Sequence, residues 1–412
     1  MYLRRLTLTG FRSYEQLELD FEPGVTTLVG RNGQGKTNLV EAVGYLATLG
    51  SHRVATDHPL IRAGDEQAVV RAIVVRDGRE QSIEIEINPG RANRARLGRG
   101  AAVRPRDILG SLRTVLFAPE DLALVKGDPA GRRRFLDDLL VARQPRWAAA
   151  RSDYDKILKQ RNALLKNART SRNDAALADS LPVWDTHLAA TGANLTYARL
   201  RLLRDLAPYV GQAYDQVSDS VSGARIDYQS SLSGLSPAAD GEVPGVEEIT
   251  AALHTGFAEQ RSREIERGIT LVGPHRDDLE LTLGELPAKG YASHGESWSF
   301  ALALRLAGYQ LLRADVATDP VLVLDDVFAE LDVGRRTRLA TLISDCEQVL
   351  ITAAVRDDVP PELAGRLYDV RRGAVTVPAS GPSAGHEVEF DEAADEAAEE
   401  DPSDAAATGA AS

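Results

Sequence analysis

The sequence predicts an α/β protein with a parallel central sheet, an antiparallel β-rich part near the N-terminus and an inserted helical lobe. A buried strand, a glycine-rich loop and an amphipathic helix follow one another over residues 25–49. From about residue 131 the chain becomes charged and rich in Leu and Ala, which favours helices. Apolar strands then alternate with helices over residues 299–354, as in a parallel sheet covered on both faces.

These changes in character divide the chain into four predicted segments. We expect residues 1–130 and 266–378 to form the two halves of the α/β core, and residues 131–265 to form the helical lobe between them. Residues 379–412 hold ten Asp and Glu but no Lys or Arg, and they carry most of the net charge of −13. Such a composition predicts a disordered acidic tail that promotes solubility.

Composition restricts the class of protein and its compartment. The chain is 43% hydrophobic and 26% charged, which is typical of soluble globular proteins, and no apolar run is long enough to span a bilayer. Its start lacks the apolar core of a secretory signal. The single cysteine, Cys346, excludes an internal disulfide, so we expect a reducing cytoplasm.

The N-terminal part is predicted to contain antiparallel strands. Leu6 and Leu8 alternate with polar residues, as in a strand with one buried face. Further along, "AVVRAIVV" and "QSIEIEI" flank Asp77-Gly78, a pair that favours a tight hairpin turn because it tolerates positive φ.

The loop "GRNGQGKT" has the spacing of a phosphate-binding loop between a strand and a helix. Its glycines let backbone N–H groups approach phosphate oxygens, and the following helix directs the positive end of its dipole at the same anion. Lys36 would reach the β- and γ-phosphates of a nucleotide, and the Thr37 hydroxyl would bind Mg²⁺. The predicted nucleotide-binding residues here are Gly30, Arg31, Asn32, Gly33, Gln34, Gly35, Lys36, Thr37 and Asn38.

A second motif, "VLVLDDVFAELD", ends a buried strand with two carboxylates. Ligands of open α/β sheets bind at the carboxyl ends of strands, so we expect Asp325 in the Mg²⁺ shell and Asp326 beside the attacking water. Thr37 and Asp325 are too far apart in the sequence for a compact nucleotide kinase. The long intervening segment indicates an insertion between two halves of one ATPase site.

The stretch "ASHGESWSFALALRLAG" places a serine and a glycine before a long helix. Ser293 and the backbone near Gly295 could receive an anion at the helix N-terminus, and we include both among the nucleotide-binding candidates. An ordinary helix cap is the simpler alternative. The predicted catalytic residues are therefore Lys36, Asp326 and Ser293.

Together these motifs resemble the ATP-binding-cassette (ABC) heads of the SMC/Rad50 class. Five blocks, in order, resemble the RecF family of bacterial recombination mediators and cover most of residues 1–378: "GFRSYEQLEL", "FAPEDLALVKGDPAGRRRFLD", "YDKILKQRNALLK", "LVGPHRDDL" and "LDDVFAELD". The resemblance implies an ABC-type head that binds ATP and Mg²⁺. It also implies a head-to-tail dimer, in which Ser293 closes on the partner's nucleotide and Asp332 lies in the D-loop, the interface-crossing segment.

The resemblance further implies a function in DNA metabolism. Such proteins dimerise with ATP near junctions of single- and double-stranded DNA and work with RecR and RecO to load the recombinase RecA at gaps and stalled forks, in repair, replication restart and the SOS response. Many ABC heads have Glu where this chain has Asp326, and a switch His where it has Thr352. A threonine could still donate a hydrogen bond to the γ-phosphate. We therefore expect slow, DNA-dependent hydrolysis with ATP acting as a clamp.

Basic clusters are the candidate DNA contacts. Arg94 and Arg96 lie on a predicted hairpin loop with Arg91 and Arg99, and Arg132 and Arg133 open the helical lobe with Arg134. Such clusters neutralise phosphates without reading bases. The alternative is that arginine is the default surface cation, since all but six of the 48 basic residues are arginine.

Two further positions are assigned from the resemblance. Glu120 stands roughly where ABC heads have a glutamine loop, and "GPHRDD" at Gly273–Asp278 is a possible site near the nucleotide. The turn-forming composition of this hexapeptide is a simpler explanation.

Other protein classes fit less well. The nucleotide-binding subunit of a membrane transporter is the main alternative, but the sequence lacks an L-S-G-G-Q signature, a switch histidine and a short insertion. A long SMC tether would need many more heptads than the chain contains.

Overall fold

The computed structural model describes residues 1–171, 174–218, 223–232, 235, 242–316 and 318–378. Residues 1–377 form one compact unit, and the predicted acidic tail at 379–412 lies outside the described residues. The strands are β1 Tyr2–Phe11, β2 Tyr14–Asp20, β3 Gly24–Val29, β4 Ala68–Arg76, β5 Arg79–Ile87, β6 Arg94–Leu97, β7 Ala102–Val103, β8 Thr114–Phe117, β9 Ala224–Gln229, β10 Asp278–Leu283, β11 Leu286–Pro287, β12 Val321–Asp325, β13 Gln348–Ala353, β14 Arg366–Arg371 and β15 Ala374–Thr376. The helices are α1 Lys36–Thr48, α2 Leu122–Lys126, α3 Pro129–Arg143, α4 Arg146–Ser171, α5 Asp174–Ser218, α6 Val246–Arg267, the single turn α7 Ala288–Tyr291, α8 His294–Val316 and α9 Val333–Ile343.

The central sheet has the order β15-β14-β3-β13-β12-β8, and β14, β3, β13, β12 and β8 run parallel. It combines strands from both ends of the chain, because β3 lies between β13 and β14. The carboxyl ends of β3, β12 and β13 therefore meet at one edge, as the two predicted nucleotide motifs require.

Two hydrophobic cores pack on opposite faces of this sheet. Val321 and Val323 join the core formed with α1 and the antiparallel sheet. Leu322 and Leu324, which alternate with them on β12, join the core formed with α5, α8 and α9. Burial on both faces explains why "VLVL" is continuously apolar. The predicted α/β class with a parallel core is confirmed.

The antiparallel sheet has the order β2-β1-β4-β5-β6-β7. The predicted hairpin turn is present between β4 and β5, where Asp77 and Gly78 have φ of 51° and 72°. Arg94 and Arg96, predicted on a loop, instead lie on β6. There they face Glu86 and Glu84 of β5, so opposite charges across the strands stabilise the pairing.

The helical segment contains α4, α5 and α6, which pack against one another. α5 spans 45 residues and continues through Pro182 and Pro208. The sequence did not predict that β9, following α5, pairs with β10 and so binds this segment to the C-terminal part of the core. The boundaries at 130 and 265 stay predictions. None of the described helices combines the length and hydrophobicity needed to cross a membrane.

Candidate nucleotide site

The glycine-rich loop runs from β3 to α1 and leaves no space for side chains at two of its glycines. A Cβ on Gly30 would lie 2.3 Å from the carbonyl oxygen of Val370. A Cβ on Gly35 would lie 2.9 Å from Ser13 Oγ, and Gly35 also has φ of 106°. The loop thus needs glycine both for space and for backbone conformation.

The start of α1 is built to receive an anion. Gly35 is its N-cap, and no side chain among the described residues caps it. The N–H groups of the first helical turn therefore point outward without intrahelical acceptors. Lys36 is 3% exposed, and its Nζ donates to the carbonyl oxygen of Gly30 at 2.7 Å, which holds the ammonium group against the loop. This geometry suits a triphosphate.

The remaining loop residues differ in their surroundings. Arg31 and Asn32 are exposed at the tip of the loop. Gln34 accepts a hydrogen bond from the backbone N–H of Arg372, and Asn38 donates to Ser13 Oγ at 2.9 Å. Gln34 and Asn38 therefore fix the loop to the body of the protein.

Asp325 joins the two predicted motifs. Thr37 Oγ1 donates to Asp325 Oδ1 at 3.0 Å, across 288 positions of sequence. Thr352 Oγ1 donates to the same oxygen at 2.7 Å and accepts from the backbone N–H of Asp326 at 2.9 Å. The single hydroxyl proton of Thr352 is thus donated to Asp325 in this structure, and a hydrogen bond from Thr352 to a γ-phosphate stays a prediction. Thr352 therefore orients the Asp325 carboxylate and holds the backbone of Asp326.

Asp326 has an unusual conformation and an unusual environment. Its φ of 51° lies in the left-handed region, which aspartate tolerates better than most residues do. Its Oδ1 is buried without a hydrogen-bond partner among the described residues and lies 4.0 Å from Lys36 Nζ. Burial raises the pKa of Asp326, and the charge of Lys36 opposes that rise. An acceptor held in this way could take a hydrogen bond from a water molecule.

His52, which the sequence analysis missed, lies beside these carboxylates. Its Nε2 is 3.7 Å from Asp325 Oδ2 and is buried without a hydrogen-bond partner among the described residues. The side chain comes from the segment after α1, where Ser51 is held by Glu41. No motif marks this histidine, because only the fold of that segment brings it to β12.

The residues at this edge of the sheet fit a magnesium ion that is shared with a nucleotide. Thr37 and Asp325 offer hard oxygen donors, which Mg²⁺ prefers. The described residues contain no group of three or more metal-binding side chains. Mg²⁺ in nucleotide sites takes only one or two protein ligands and completes its shell with phosphates and water, so this sparse set fits it.

Ser293 and Gly295 lie at the start of α8, and the hydrogen bonds of Ser293 are to residues of that same helix. Ser293 forms a reciprocal cap with Glu296: Ser293 N–H donates to Glu296 Oε2 at 2.8 Å, and Glu296 N–H donates to Ser293 Oγ at 3.2 Å. These bonds lower the pKa of Glu296. Ser293 is exposed. In the single chain it therefore acts as a helix cap.

The segment Gly273–Asp278 contacts the helical segment and β9. His275 Nδ1 is 2.6 Å from Tyr154 Oη, and Asp277 accepts a hydrogen bond from Tyr228 Oη at 2.7 Å. Arg199 donates to the carbonyl oxygen of Pro274 at 2.6 Å. These partners lie on α4, α5 and β9, so the segment joins the helical segment to β10. Its place near the nucleotide stays a prediction.

The same junction corrects one predicted DNA contact. Arg132 is 5% exposed, and its guanidinium forms two hydrogen bonds of 2.8 Å with the Asp278 carboxylate. Its neighbour Arg133 is half-buried and donates to the carbonyl oxygen of Asp277 at 2.8 Å. Arg132 therefore has a structural role, whereas Arg133 donates one hydrogen bond and stays a candidate DNA contact. Arg94 and Arg96 are exposed and stay candidates.

Glu120 is exposed and lies after β8, the strand next to β12. It lines a cavity of about 310 Å³ together with His52. Its neighbour Asp121 accepts two hydrogen bonds from Arg305 of α8. The glutamine-loop assignment of Glu120 stays a prediction.

Comparison with known proteins places this geometry in a family. The family described as the RecF/RecN/SMC N-terminal domain matches residues 2–372. The DNA replication and repair protein RecF of Streptomyces avermitilis is 57% identical over 378 residues, which cover 91% of this chain and 99% of that protein.

Two solved structures are similar to the whole fold. The recombination mediator protein RecF of the RecFOR pathway, solved with ATPrS, aligns with a TM-score of 0.82 at 28% identity and covers 92% of this chain and 98% of that chain. A Pyrococcus furiosus Smc head aligns with a TM-score of 0.50 at 19% identity, covering 91% of this chain and 95% of that one. The second likeness concerns the fold alone.

Proposed function

Because the chain belongs to the RecF family, whose named members are DNA replication and repair proteins, we propose that it is an ATP-dependent, DNA-binding recombination mediator. It binds ATP with Mg²⁺, dimerises on single-strand/double-strand DNA junctions, and works with RecR and RecO to load RecA at gaps and stalled forks. Slow, DNA-dependent ATP hydrolysis resets it.

The bond between Thr37 and Asp325 is the observation that carries the proposal. It brings the glycine-rich loop and the acidic strand end together at 3.0 Å, and Lys36 Nζ lies 4.0 Å from Asp326 Oδ1 beside it. A related RecF was solved with ATP, which supports the same ligand here. Its placement in the RecFOR pathway supports RecR and RecO as partners.

Within the proposed site each residue has a separate task. The N–H groups at the start of α1 and the Lys36 ammonium bind the phosphates. Mg²⁺, held by Thr37 and Asp325, would neutralise charge on the β- and γ-phosphates. Asp326 orients the attacking water. Its side chain is shorter than the glutamate of many ABC heads, which supports slow turnover.

The proposed site is completed by a second copy of the chain. Ser293 is exposed at the N-terminus of a 23-residue helix, and its own chain gives it only a capping role. In a head-to-tail dimer this helix N-terminus would face the triphosphate bound by the partner. Each site would then need Lys36 from one copy and Ser293 from the other.

Mixing two inactive variants tests this arrangement. Lys36→Ala removes the phosphate ligand but keeps Ser293, whereas Ser293→Arg blocks the helix N-terminus but keeps Lys36. We expect neither variant alone to dimerise or hydrolyse ATP. Their mixture should recover up to about half of the wild-type turnover on gapped DNA, because each mixed dimer has one intact site.

Sedimentation with ATP and gapped DNA would follow assembly of the mixture alongside turnover. Unchanged thermal midpoints of both variants would serve as the control for folding. A mixture no more active than its components, or a Ser293→Arg variant with wild-type turnover, would contradict the composite site.

A further inference from the structure

The D-loop and the start of α8 are joined inside one chain by Arg335. Arg335 Nε donates to Ser299 Oγ of α8 at 2.9 Å, and its Nη1 forms an ion pair with Asp332. Asp332 is also the N-cap of α9, accepting a hydrogen bond from the Arg335 backbone N–H at 2.9 Å. One residue therefore holds both segments.

Gly295 leaves the space that this arrangement needs. A Cβ at position 295 would lie 2.9 Å from Arg335 Nη2 and 3.2 Å from Nη1. The guanidinium would have to move, and its bonds to Ser299 and Asp332 would be strained or lost. Gly295 thus has a role within its own chain, and this role is separate from any contact with a phosphate.

Electrostatics favour the same arrangement. The Arg335 backbone N–H and then its side chain lower the pKa of Asp332, so its carboxylate stays charged and paired at neutral pH. The charge of Arg335 also contributes to the lowered pKa of Glu296, the capping partner of Ser293. Arg335 therefore lies close to both helix caps.

The surroundings of Arg335 indicate a surface that meets a second copy. Tyr291, two residues before Ser293, is 68% exposed, and Val333, directly after Asp332, is 79% exposed. Large apolar side chains exposed beside a functional motif are typical of protein interfaces. Under the proposed function, this is the surface that faces the partner's nucleotide.

We propose that Arg335 is a positioning residue that clasps the D-loop to α8, with Gly295 providing the space for its guanidinium. The two segments then reach the partner copy as one rigid unit. The effect of the clasp on dimerisation rests on the proposed function, whereas the clasp itself is a property of the single chain.

A double-mutant cycle tests the clasp. Gly295→Ala would displace the guanidinium, and Arg335→Ala would remove it. We expect both variants to speed amide hydrogen exchange severalfold in a peptide spanning residues 330–336, measured without nucleotide. The double variant should exchange no faster than either single variant, because both changes break the same contact. If the increase in exchange rate of the double variant were the product of the two single increases, the proposal would be overturned.

Matched variants separate the shape of the side chain from its charge. Arg335→Lys keeps the charge but loses the planar fork with which Arg335 reaches Ser299 from Nε and Asp332 from Nη1, so we expect it to behave like Arg335→Ala. Recovery of slow exchange by lysine would contradict the clasp. Arg313→Ala, which removes an ion-paired arginine near the other end of α8, should leave the peptide unchanged.

Dimerisation forms the second part of the test. With ATP and gapped DNA, we expect Gly295→Ala, Arg335→Ala and the double variant to show equal losses of dimer, at least tenfold. Absence of a wild-type dimer would count against the proposed function, while the nucleotide-free exchange would still decide the clasp. Normal dimerisation of Arg335→Ala would overturn its proposed positioning role.

Discussion

At the scale of single residues, Asp326 combines a left-handed backbone with a buried carboxylate oxygen that has no hydrogen-bond partner among the described residues. Asparagine tolerates the same backbone, so Asp326→Asn should fold with a thermal midpoint close to that of the wild type. It removes the negative charge that would polarise a water molecule. We expect ATP binding and dimerisation to persist while turnover falls at least 100-fold, measured by phosphate release. Turnover at the wild-type rate would assign the water to another residue.

His275 makes stability depend on pH. Burial lowers its pKa to about 4, so between pH 6.5 and 4 the unfolded chain binds a proton that the folded chain excludes. Stability should therefore fall as pH falls through this window, by on the order of 3 kcal/mol from this group. Asp277, whose pKa is raised by burial, acts in the opposite direction.

Comparison with His275→Asn isolates the histidine, because Asp277 is present in both chains. We expect the variant to be less stable at pH 7, since Tyr154 loses its ring partner, but to lose less free energy of unfolding on acidification. Urea unfolding at pH 7, 5.5 and 4.5 would measure the difference. If both chains lost the same free energy of unfolding on acidification, the pH dependence could not be assigned to His275.

The positions of single site residues could be predicted where the neighbouring sequence determines them. Lys36 and Thr37 follow a strand and a glycine loop, and Asp325 ends a continuously apolar strand, so their meeting could be expected. His52 could not, because its position depends on how the segment after α1 folds over the sheet. The burial of Arg132 was equally hidden, since its partner Asp278 is 146 positions away.

At the scale of elements, β6 bears two exposed arginines that we propose as contacts for DNA phosphates. Arg94 and Arg96 lie opposite Glu86 and Glu84, so their charges are partly neutralised within the sheet. If they contact phosphates, replacing both with Ala should weaken binding to gapped DNA equally for all sequences. The slope of log affinity against log salt should fall by roughly 1 to 2.

Arg263→Ala supplies the control for β6, because Arg263 is an exposed arginine on α6. Fluorescence anisotropy over a range of salt concentrations would compare the variants. An unchanged salt slope for the Arg94→Ala/Arg96→Ala chain would leave these residues with only their role in strand pairing.

Strands and helices could be predicted where the spacing of hydrophobic residues and the residues of the adjoining turns indicate the same structure. The β4–β5 hairpin follows from alternation around Asp77-Gly78, and β12 and β13 follow from apolar runs. The pairing of β9 with β10 was not predictable, because no local pattern shows which distant strand is its partner. The strand β6 was mistaken for a loop because its two arginines concealed a short alternation of exposed and buried residues.

At the scale of the whole molecule, the order of the central sheet could be predicted only in part. Alternating strands and helices indicate a parallel sheet, and the two motifs must share one edge. Nothing local indicates that β3 lies between β13 and β14, because this pairing is decided by long-range burial. Likewise, the proposed contact between the exposed start of α8 and a nucleotide requires a second copy of the chain.

The central position of β3 has a consequence for synthesis on the ribosome. Its two neighbours, β13 and β14, are translated near the end of the described chain. An emerging polypeptide therefore carries β3 without either of its neighbouring strands until most of the described chain has left the exit tunnel. Premature termination would yield fragments without a formed phosphate cradle, so an incomplete copy should not compete for nucleotide.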